Sequence, residues 1–327
     1  MDIYIYRLKF KGPTHFGDTG IELENVTERV SSDTLFSALI NTVNILYGQE
    51  KTNTLLKDFI ESPPFIISSL FLYSGDTFYL PRPLFDGQLK EELKRELGKE
   101  LKKIIWLSDK MFLKWISGDE LDENDLEIMK SNLENYKNAY TIEVRPRVSL
   151  DRATQNSNLY HCGYVYFKKN AGLYGFVAFK DSNTVELFQN ILINLGEIGL
   201  GGEKTYGSGM FKVIDFKKIE NVFDKIFKTN LSQFVLLSLY HPSSSEISFL
   251  KEGIVAYETV RKKGWITSGR NALPLKRKSV GFFVEGSVVN WRPIGCLIDV
   301  SPNNGPYNAL NHKVFRYGYA FTAPFGG

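Results

Sequence analysis

Cysteine, histidine and net charge are all scarce in this sequence. Its 327 residues include two cysteines and four histidines, and the formal net charge is only +3. Cys162 and Cys296 lie far apart, and neither stands in a metal-ligand spacing, so we expect reduced thiols and no structural metal. No uninterrupted apolar run reaches the length of about 18 residues that indicates a transmembrane helix, and residues 1–10 lack the pattern of a signal peptide. We therefore expect a cytoplasmic protein with no membrane partner.

Basic residues are concentrated in one segment, although the whole chain is close to neutral. Residues 261–278 contain seven lysines or arginines and no acidic residue. Trp265 lies among them, and basic side chains interleaved with an aromatic ring fit neutralisation of a nucleic-acid backbone together with base stacking. Arg261, Lys262 and Arg270 are the candidate phosphate contacts. The alternative is a solvated loop with ordinary surface lysines.

A second segment, residues 199–211 with the sequence GLGGEKTYGSGMF, is rich in glycine. Clustered glycines permit positive φ angles and close approach of another backbone. The loop can therefore direct N–H groups at a phosphate, while Lys204 adds charge and Tyr206 offers a stacking surface. Its spacing is not that of a P-loop, and it follows a predicted helix and precedes a predicted strand, the reverse of a Rossmann turn. We predict no nucleotide cofactor; a polynucleotide contact and a purely structural glycine connection both remain open.

Hydrophobic periodicity predicts an α+β protein with antiparallel sheets. Residues 3–11 alternate as a half-buried strand, and a loop that contains His15 follows. Residues 31–33 (SSD) offer N-cap side chains for a helix at 34–47. Residues 65–80 predict a hairpin. Along the chain, several predicted strands precede one helix and a further strand, and strands and helices do not alternate regularly. This order favours an antiparallel sheet over parallel βαβ units.

The middle of the chain predicts a helical insertion. Leucines four residues apart predict a surface helix at 88–103, and short helices follow as far as residue 140, so the insertion spans about 88–140. The insertion lies in a first unit, residues 1–225, and a second unit spans residues 230–327.

A long hairpin is predicted after the insertion. Strands near 144–150 and 163–168 flank a polar stretch, DRATQNSN. Arg147 and Arg152 could contact phosphates there, and a plain mobile loop is the alternative.

Histidine supplies the candidates for acid–base chemistry. His15 is the candidate general base, because histidine changes charge near neutral pH. No carboxylate or nucleophile lies near it in the sequence, so contact with a ligand is the alternative. His312 lies beside Lys313 and near Arg316, a setting that suits an anion better than a metal. No paired carboxylates or histidine pairs mark a metal nuclease.

Several segments follow one another in a characteristic order: YRLKFKGPTHFGDTG, SSDTLFSAL, the GLGGEKTYGSGMF loop, FVEGSVV, GCLIDVSP and HKVFRYGYAF. Together they resemble the RAMP superfamily of CRISPR-associated proteins, and within it the Cas5-like group of fourth Csm subunits of type III-A interference complexes. The resemblance spans essentially the whole chain and is weakest across residues 88–140.

That resemblance implies two ferredoxin-like (RRM-like) modules, with a β-hairpin thumb at about 145–180 inserted in the first. It also implies a non-catalytic role: gripping the 5′ tag of the CRISPR RNA and docking the large polymerase-domain subunit, beside the repeated backbone subunit, with target RNA as an indirect partner. By position, residues 199–209 would face the RNA, residues 31–33 would open the first helix beside it, and residues 147–158 would belong to the thumb.

Proteins bind single-stranded RNA by stacking its bases on aromatic rings and by hydrogen-bonding the base edges. The predicted stacking platforms are Tyr206, Phe16 and Trp265. We predict no catalytic residue, metal or cofactor in this protein. We predict RNA contacts at the following residues: His15, Phe16, Gly17, Ser31, Ser32, Asp33, Arg147, Arg152, Thr154, Gly199, Gly201, Gly202, Glu203, Lys204, Thr205, Tyr206, Gly207, Gly209, Arg261, Lys262, Trp265, Arg270, His312 and Arg316.

Two other functions remain open. A metal-independent endoribonuclease that processes CRISPR repeat RNA would use His15 as its general base. A pure protein–protein scaffold would bind no RNA at all.

Overall fold

The structure of the protein, a computed structural model, describes residues 1–17, 23–85, 98, 102–151, 156–229, 231–266, 275–302 and 312–326. The helix predicted at 88–103 lies almost entirely outside these ranges. Three of the predicted RNA contacts, Arg152, Thr154 and Arg270, also lie outside them.

The helices are α1 (Ser32–Glu61), α2 (Asp109–Ile116), α3 (Glu123–Asn138), α4 (Asn183–Ile198), α5 (Val222–Lys228) and α6 (Leu250–Gly253), with 3-10 turns at Lys204–Tyr206 and Ser244–Phe249. The strands are β1 (Asp2–Phe10), β2 (Phe65–Ile67), β3 (Phe71–Ser74), β4 (Thr77–Pro81), β5 (Trp106–Ser108), β6 (Tyr140–Leu150), β7 (Ser157–Phe167), β8 (Ala171–Phe179), β9 (Phe211–Lys218), β10 (Gln233–Leu236), β11 (Ile254–Ala256), β12 (Thr259–Lys262), β13 (Trp265–Ile266), β14 (Leu275–Lys276), β15 (Val280–Phe283), β16 (Val288–Val289), β17 (Leu297–Asp299), β18 (Phe315–Tyr317) and β19 (Thr322–Phe325).

The main sheet is antiparallel and has the strand order β5-β4-β3-β8-β1-β9, with β2 also paired to β8. Along the chain, β1, α1, β3, β8, α4 and β9 follow the βαββαβ order of a ferredoxin-like unit. Strand β8 is buried along its whole length, as expected for a central strand that is covered on both faces. The predicted α+β class is therefore confirmed.

Helix α1 is longer than predicted. It continues to Glu61, and Gly48, with φ of 79°, breaks the helical geometry one residue after the predicted end at residue 47. Helix α2 and helix α3 confirm the short helices predicted before residue 140, and Asp122 and Asp125 form a capping box at the start of α3.

Strands β6 and β7 form a long hairpin, which we call the thumb hairpin, from Tyr140 to Phe167. It begins earlier than the predicted thumb, and β8, which the prediction includes in the thumb, is a strand of the main sheet. Residues opposite one another in an antiparallel pair share a face. One face of the hairpin is apolar and exposed at the following residues: Ile142, Val144, Val148, Leu150 and Leu159. The opposite face carries Arg145, Arg147 and Tyr164.

The second unit is built around the antiparallel order β11-β16-β10-β19, with small ribbons β12–β15, β13–β14 and β17–β18 beside it. Glu246 lies buried at its 3-10 turn and accepts hydrogen bonds from the Ile294 and Gly295 amides at 2.7 and 2.9 Å and from Ser243. Burial raises the pKa of Glu246, but these donors outweigh burial and hold the pKa below its usual value.

The two units share a continuous hydrophobic core. Hydrogen bonds also join them: the Ser69 amide donates to the Leu237 carbonyl at 2.9 Å, and the Ile67 amide donates to the Tyr317 side-chain hydroxyl at 2.8 Å. The units are therefore packed as one body around α1 and β2.

Candidate nucleic-acid interface

The glycine-rich loop, residues 199–209, connects the end of α4 to the start of β9. Its φ angles are positive at Gly199, Gly201, Gly207 and Gly209, with values from 77° to 98°. Glu203 also has a positive φ, 55°, which is uncommon for a residue with a side chain and recurs at functional sites. These angles explain why this segment needs so many glycines.

The loop packs against the segment that follows β1. The Gly202 amide donates to the His15 carbonyl at 2.8 Å, and the Gly209 amide donates to the Pro13 carbonyl at 2.9 Å. The amides of the following loop residues also donate to protein carbonyls: Gly199, Leu200, Tyr206, Gly207 and Ser208. These amides are therefore unavailable to a ligand. Within the described part of the chain, the remaining loop amides, those of Gly201, Glu203, Lys204 and Thr205, have no such acceptor, so only part of the expected set of free amides is present.

The thumb hairpin meets the loop through Arg147. Its guanidinium lies 4.0 Å from the ring centroid of Tyr206, 3.8 Å from the Glu203 carboxylate, and donates a hydrogen bond to the Tyr164 hydroxyl. Arg147 covers one side of the Tyr206 ring, and Tyr206 is still 65% exposed. The ring is thus held in place by a cation–π contact while much of its surface is open to a base.

Lys204 places a positive charge in the same 3-10 turn as Tyr206. Its side chain is exposed, yet the neighbouring protein is close enough that desolvation lowers the pKa of Lys204. A phosphate near the ammonium would oppose that desolvation. Thr205 and Gly207 are exposed on the same turn.

His15 is buried between the glycine-rich loop and the thumb hairpin. Its Nδ1 lies 2.8 Å from the Gly163 carbonyl, so Nδ1 carries the proton and donates, and the Cys162 thiol lies 3.5 Å from the same nitrogen. A Cβ on Gly202 would clash with the imidazole, which explains the glycine there. His15 therefore holds the two elements together.

Phe16 and Gly17 follow His15 but are placed differently. Phe16 is only 4% exposed and packs edge-on against Phe10, so its predicted role as a stacking platform is wrong: its ring has no open face. Gly17 is exposed and pairs with Val26.

Residues 31–33 are placed in the interior more than expected. Ser31 is the N-cap residue of α1, but its hydroxyl contacts the Thr34 hydroxyl and makes no capping bond. The buried Ser32 hydroxyl accepts from the Leu239 amide at 3.0 Å in the second unit. Asp33 forms a buried ion pair with Arg316. The predicted RNA contacts of Ser32, Asp33 and Arg316 are therefore wrong in this conformation, because these side chains are occupied within the protein and lie away from solvent.

The described parts of the basic segment, residues 261–266 and 275–278, contribute to the small ribbons through β12, β13 and β14. Arg261 is exposed on β12, Lys262 is half-buried, and Trp265 is 50% exposed on β13. The Lys276 ammonium lies 5.0 Å from the Trp265 ring centroid. His312 is exposed beside Lys313.

Tyr164, which lies under the Arg147 guanidinium, is a site residue that the sequence did not reveal. Its position follows from the β6–β7 register, in which Glu143 faces Tyr164 and Arg145 faces Cys162, and a register cannot be read from one strand alone.

Two further observations bear on other classes of function. Across the described ranges, His, Cys, Asp and Glu side chains form no group of three or more that could hold a metal ion. No helix in the same ranges is long and apolar enough to cross a membrane.

Comparisons with protein-family models and with individual proteins identify the same family. The RAMP superfamily model matches residues 7–212, and the model of the CRISPR Csm4 C-terminal domain matches residues 229–325. The "CRISPR system Cms protein Csm4" of Thermococcus onnurineus (strain NA1) is 30% identical over 303 residues, which cover 89% of each chain. The protein of the same name from Methanocaldococcus jannaschii is 25% identical over 381 residues, which cover 99% of this chain and 98% of that one.

Solved structures share the fold. The first is a Csm3–Csm4 subcomplex of the type III-A CRISPR-Cas interference complex, with a TM-score of 0.64, 18% identity and complete coverage of both chains. The second is a Csm1–Csm4 cassette in complex with pppApA, with a TM-score of 0.62, 22% identity, and coverage of 100% of this chain and 98% of that one. Fold and sequence relatives together lead to one conclusion: the chain belongs to the Csm4 family of CRISPR proteins, within the RAMP superfamily.

Proposed function

We propose that this protein is a non-catalytic, RNA-binding subunit of a type III-A CRISPR interference complex. In this role it grips the 5′ tag of the CRISPR RNA, docks the large polymerase-domain subunit and the repeated backbone subunit, and meets target RNA only indirectly.

The Tyr206 ring carries the proposal. It is exposed, it is supported from one side by Arg147 at 4.0 Å, and Lys204 lies in the same 3-10 turn. A stacking surface beside a cation suits single-stranded RNA, because every base has a π face and every linkage has a charge. The near-neutral net charge of +3 suits a subunit that shares one RNA with neighbours.

Family membership supports the proposed partners. Csm4 proteins have been solved in a Csm1–Csm4 cassette and in a Csm3–Csm4 subcomplex, and this chain has their fold along its whole length. Csm1 and Csm3 are therefore the partners we expect for the large and the repeated subunits.

Reconstitution with two guide RNAs tests the role in tag recognition. We expect the complex to assemble with CRISPR RNA that carries the 5′ tag and to assemble more weakly with RNA that lacks it. Equal affinity and equal assembly with both RNAs would refute tag recognition, whereas loss of all RNA binding would favour the pure scaffold.

The environment of His15 supports a non-catalytic role. Its Nδ1 is engaged by the Gly163 carbonyl, and the side chain is 6% exposed. Incubation of the purified protein with repeat RNA in EDTA tests this directly. We expect no cleavage by the natural chain; cleavage that disappears in His15→Ala would establish the endoribonuclease instead.

A further inference from the structure

Two arginines of the second unit donate hydrogen bonds to successive carbonyls of the basic segment, Arg316 through its guanidinium and Arg277 through its backbone amide. The Arg316 guanidinium donates to the Lys263 carbonyl at 2.9 Å, and the Arg277 amide donates to the Gly264 carbonyl at 2.9 Å. Arg316 also pairs with Asp33 in the first turn of α1. The pair of arginines therefore lies where the basic segment meets the start of that helix.

The charges of this group do not balance. Asp33 is the carboxylate that neutralises Arg316, and its second oxygen accepts from the Tyr317 amide at 3.2 Å. Arg277 makes no side-chain hydrogen bond or ion pair within the described part of the chain, and its Nε is buried without a partner. Two guanidiniums thus share one carboxylate.

A half-buried cation beside another cation is unfavourable unless an anion joins it. Burial and the neighbouring Arg316 charge both lower the pKa of Arg277, against the partial compensation from Asp33. Arg277 is not fully enclosed, so its terminal nitrogens can be reached from solvent. The planar fork of an arginine matches the oxygens of a phosphate in a bidentate contact.

We infer that Arg277, backed by Arg316 and Asp33, forms a binding site for a single phosphate group. Arg277 contacts the phosphate oxygens, Arg316 adds charge from beneath, and Asp33 is a positioning residue that holds Arg316. The exposed Lys263, Lys276 and Lys278 increase the local positive potential. The backbone of the RNA is the phosphate source that fits, and this assignment of the source rests on the proposed function.

Thermal unfolding of the full chain with inorganic phosphate tests the site without any RNA. At equal ionic strength in phosphate and in chloride, we expect phosphate to raise the Tm of the natural chain by about 2 °C or more. The control variant Arg292→Gln, which removes an exposed arginine elsewhere, should show the same rise. Arg277→Gln should show a clearly smaller rise, because only the general stabilising effect of phosphate on a folded protein remains. An equal rise in Arg277→Gln would overturn the site.

The same variant distinguishes a ligand-binding residue from a structural one. Because Arg277 is repelled by Arg316 and has no protein partner within the described ranges, Arg277→Gln should unfold at an equal or higher Tm than the natural chain in chloride. A Tm several degrees lower would mean that Arg277 stabilises the fold, and the inference would be wrong.

RNA binding then identifies the source of the phosphate. On single-stranded RNA, one lost phosphate contact lowers the slope of log affinity against log salt by about 0.7. We expect this decrease in Arg277→Gln and none in Arg292→Gln. An unchanged slope in Arg277→Gln would refute RNA as the source, while absence of RNA binding by the natural chain would refute the proposed function and leave the inorganic phosphate result standing.

Discussion

Removing one partner of the buried pair between Asp33 and Arg316 should be among the most destabilising single substitutions in this protein. Both side chains are 6% exposed, and they join residues 283 positions apart in sequence, one from each unit. Asp33→Asn removes the charge and keeps the size of the side chain. It leaves Arg316 buried without its carboxylate and with Arg277 still nearby.

The expected cost is about 3 kcal/mol of unfolding free energy, because breaking one side of a buried pair leaves an uncompensated charge. The Tyr317 amide can still donate to the carboxamide oxygen of the Asp33→Asn variant, so that hydrogen bond need not add to the loss. Asp224→Asn is the matched control: it breaks an exposed pair with Lys228 and should cost no more than about 0.5 kcal/mol.

Urea unfolding, followed by tryptophan fluorescence and circular dichroism, measures both values. The double variant Asp33→Leu with Arg316→Met should recover much of the loss, because it leaves no unpaired charge from the pair. The reasoning fails if Asp33→Asn and Asp224→Asn have the same unfolding free energy.

Three further outcomes follow from the geometry. Tyr206→Leu should weaken RNA binding by about 1–3 kcal/mol, the range for one base stacked on an aromatic ring, while Tyr257→Leu, which removes a similarly exposed ring elsewhere, should change the measured Kd little; equal effects would deny Tyr206 a stacking role. Gly209→Ala should lower the unfolding free energy by at least about 1 kcal/mol more than Gly207→Ala, because both residues have φ near 80° but only at Gly209 would a Cβ overlap another backbone. Urea unfolding of both variants measures the two losses, and equal losses would show that the prediction is wrong. The pKa of Glu246 is lowered in the folded protein, so its carboxylate should stabilise the fold fully above pH 4.5, the ordinary pKa of the group, and lose that effect as the pH falls below it. The Tm difference between the natural chain and Glu246→Gln should therefore shrink in acid. A Tm difference that grows toward pH 3 would contradict this sign.

Local features of the chain are predictable because they depend on near neighbours. The glycine-rich loop lies between a helix and a strand, as its sequence predicts, and four of its glycines adopt the positive φ angles that clustered glycines permit. Strand β1 forms where its alternation predicts, although Ile5 and Tyr6, which point to opposite faces, are both buried, and the turn after β3 follows its Ser-Gly-Asp sequence. The prediction for α1 ends too early, next to Gly48, because a glycine usually ends a helix and here only breaks it.

Long-range contacts are not predictable in the same way. Polar residues at a helix start look like ligand contacts, and nothing in the 31–33 segment indicates that Ser32 bonds to Leu239. Likewise, the aromatic Phe16 could equally face solvent or the core, and only the packing of Phe10 decides for the core. Of the candidate site, the sequence identifies Tyr206 and Lys204, but the support of the Tyr206 ring by Arg147 depends on strand register.

The joined core has a consequence for how relatives of this chain can change. The two family models divide the sequence between residues 212 and 229, but the contacts through Ser32, Asp33 and Tyr317 cross that division. Substitutions on one side must therefore be matched on the other. A chimaera that takes its first half from this chain and its second from a relative should fold well only when the relative keeps an arginine at the position of Arg316 and a hydroxyl at that of Tyr317. Covariation across the division should consequently be strongest at these pairs.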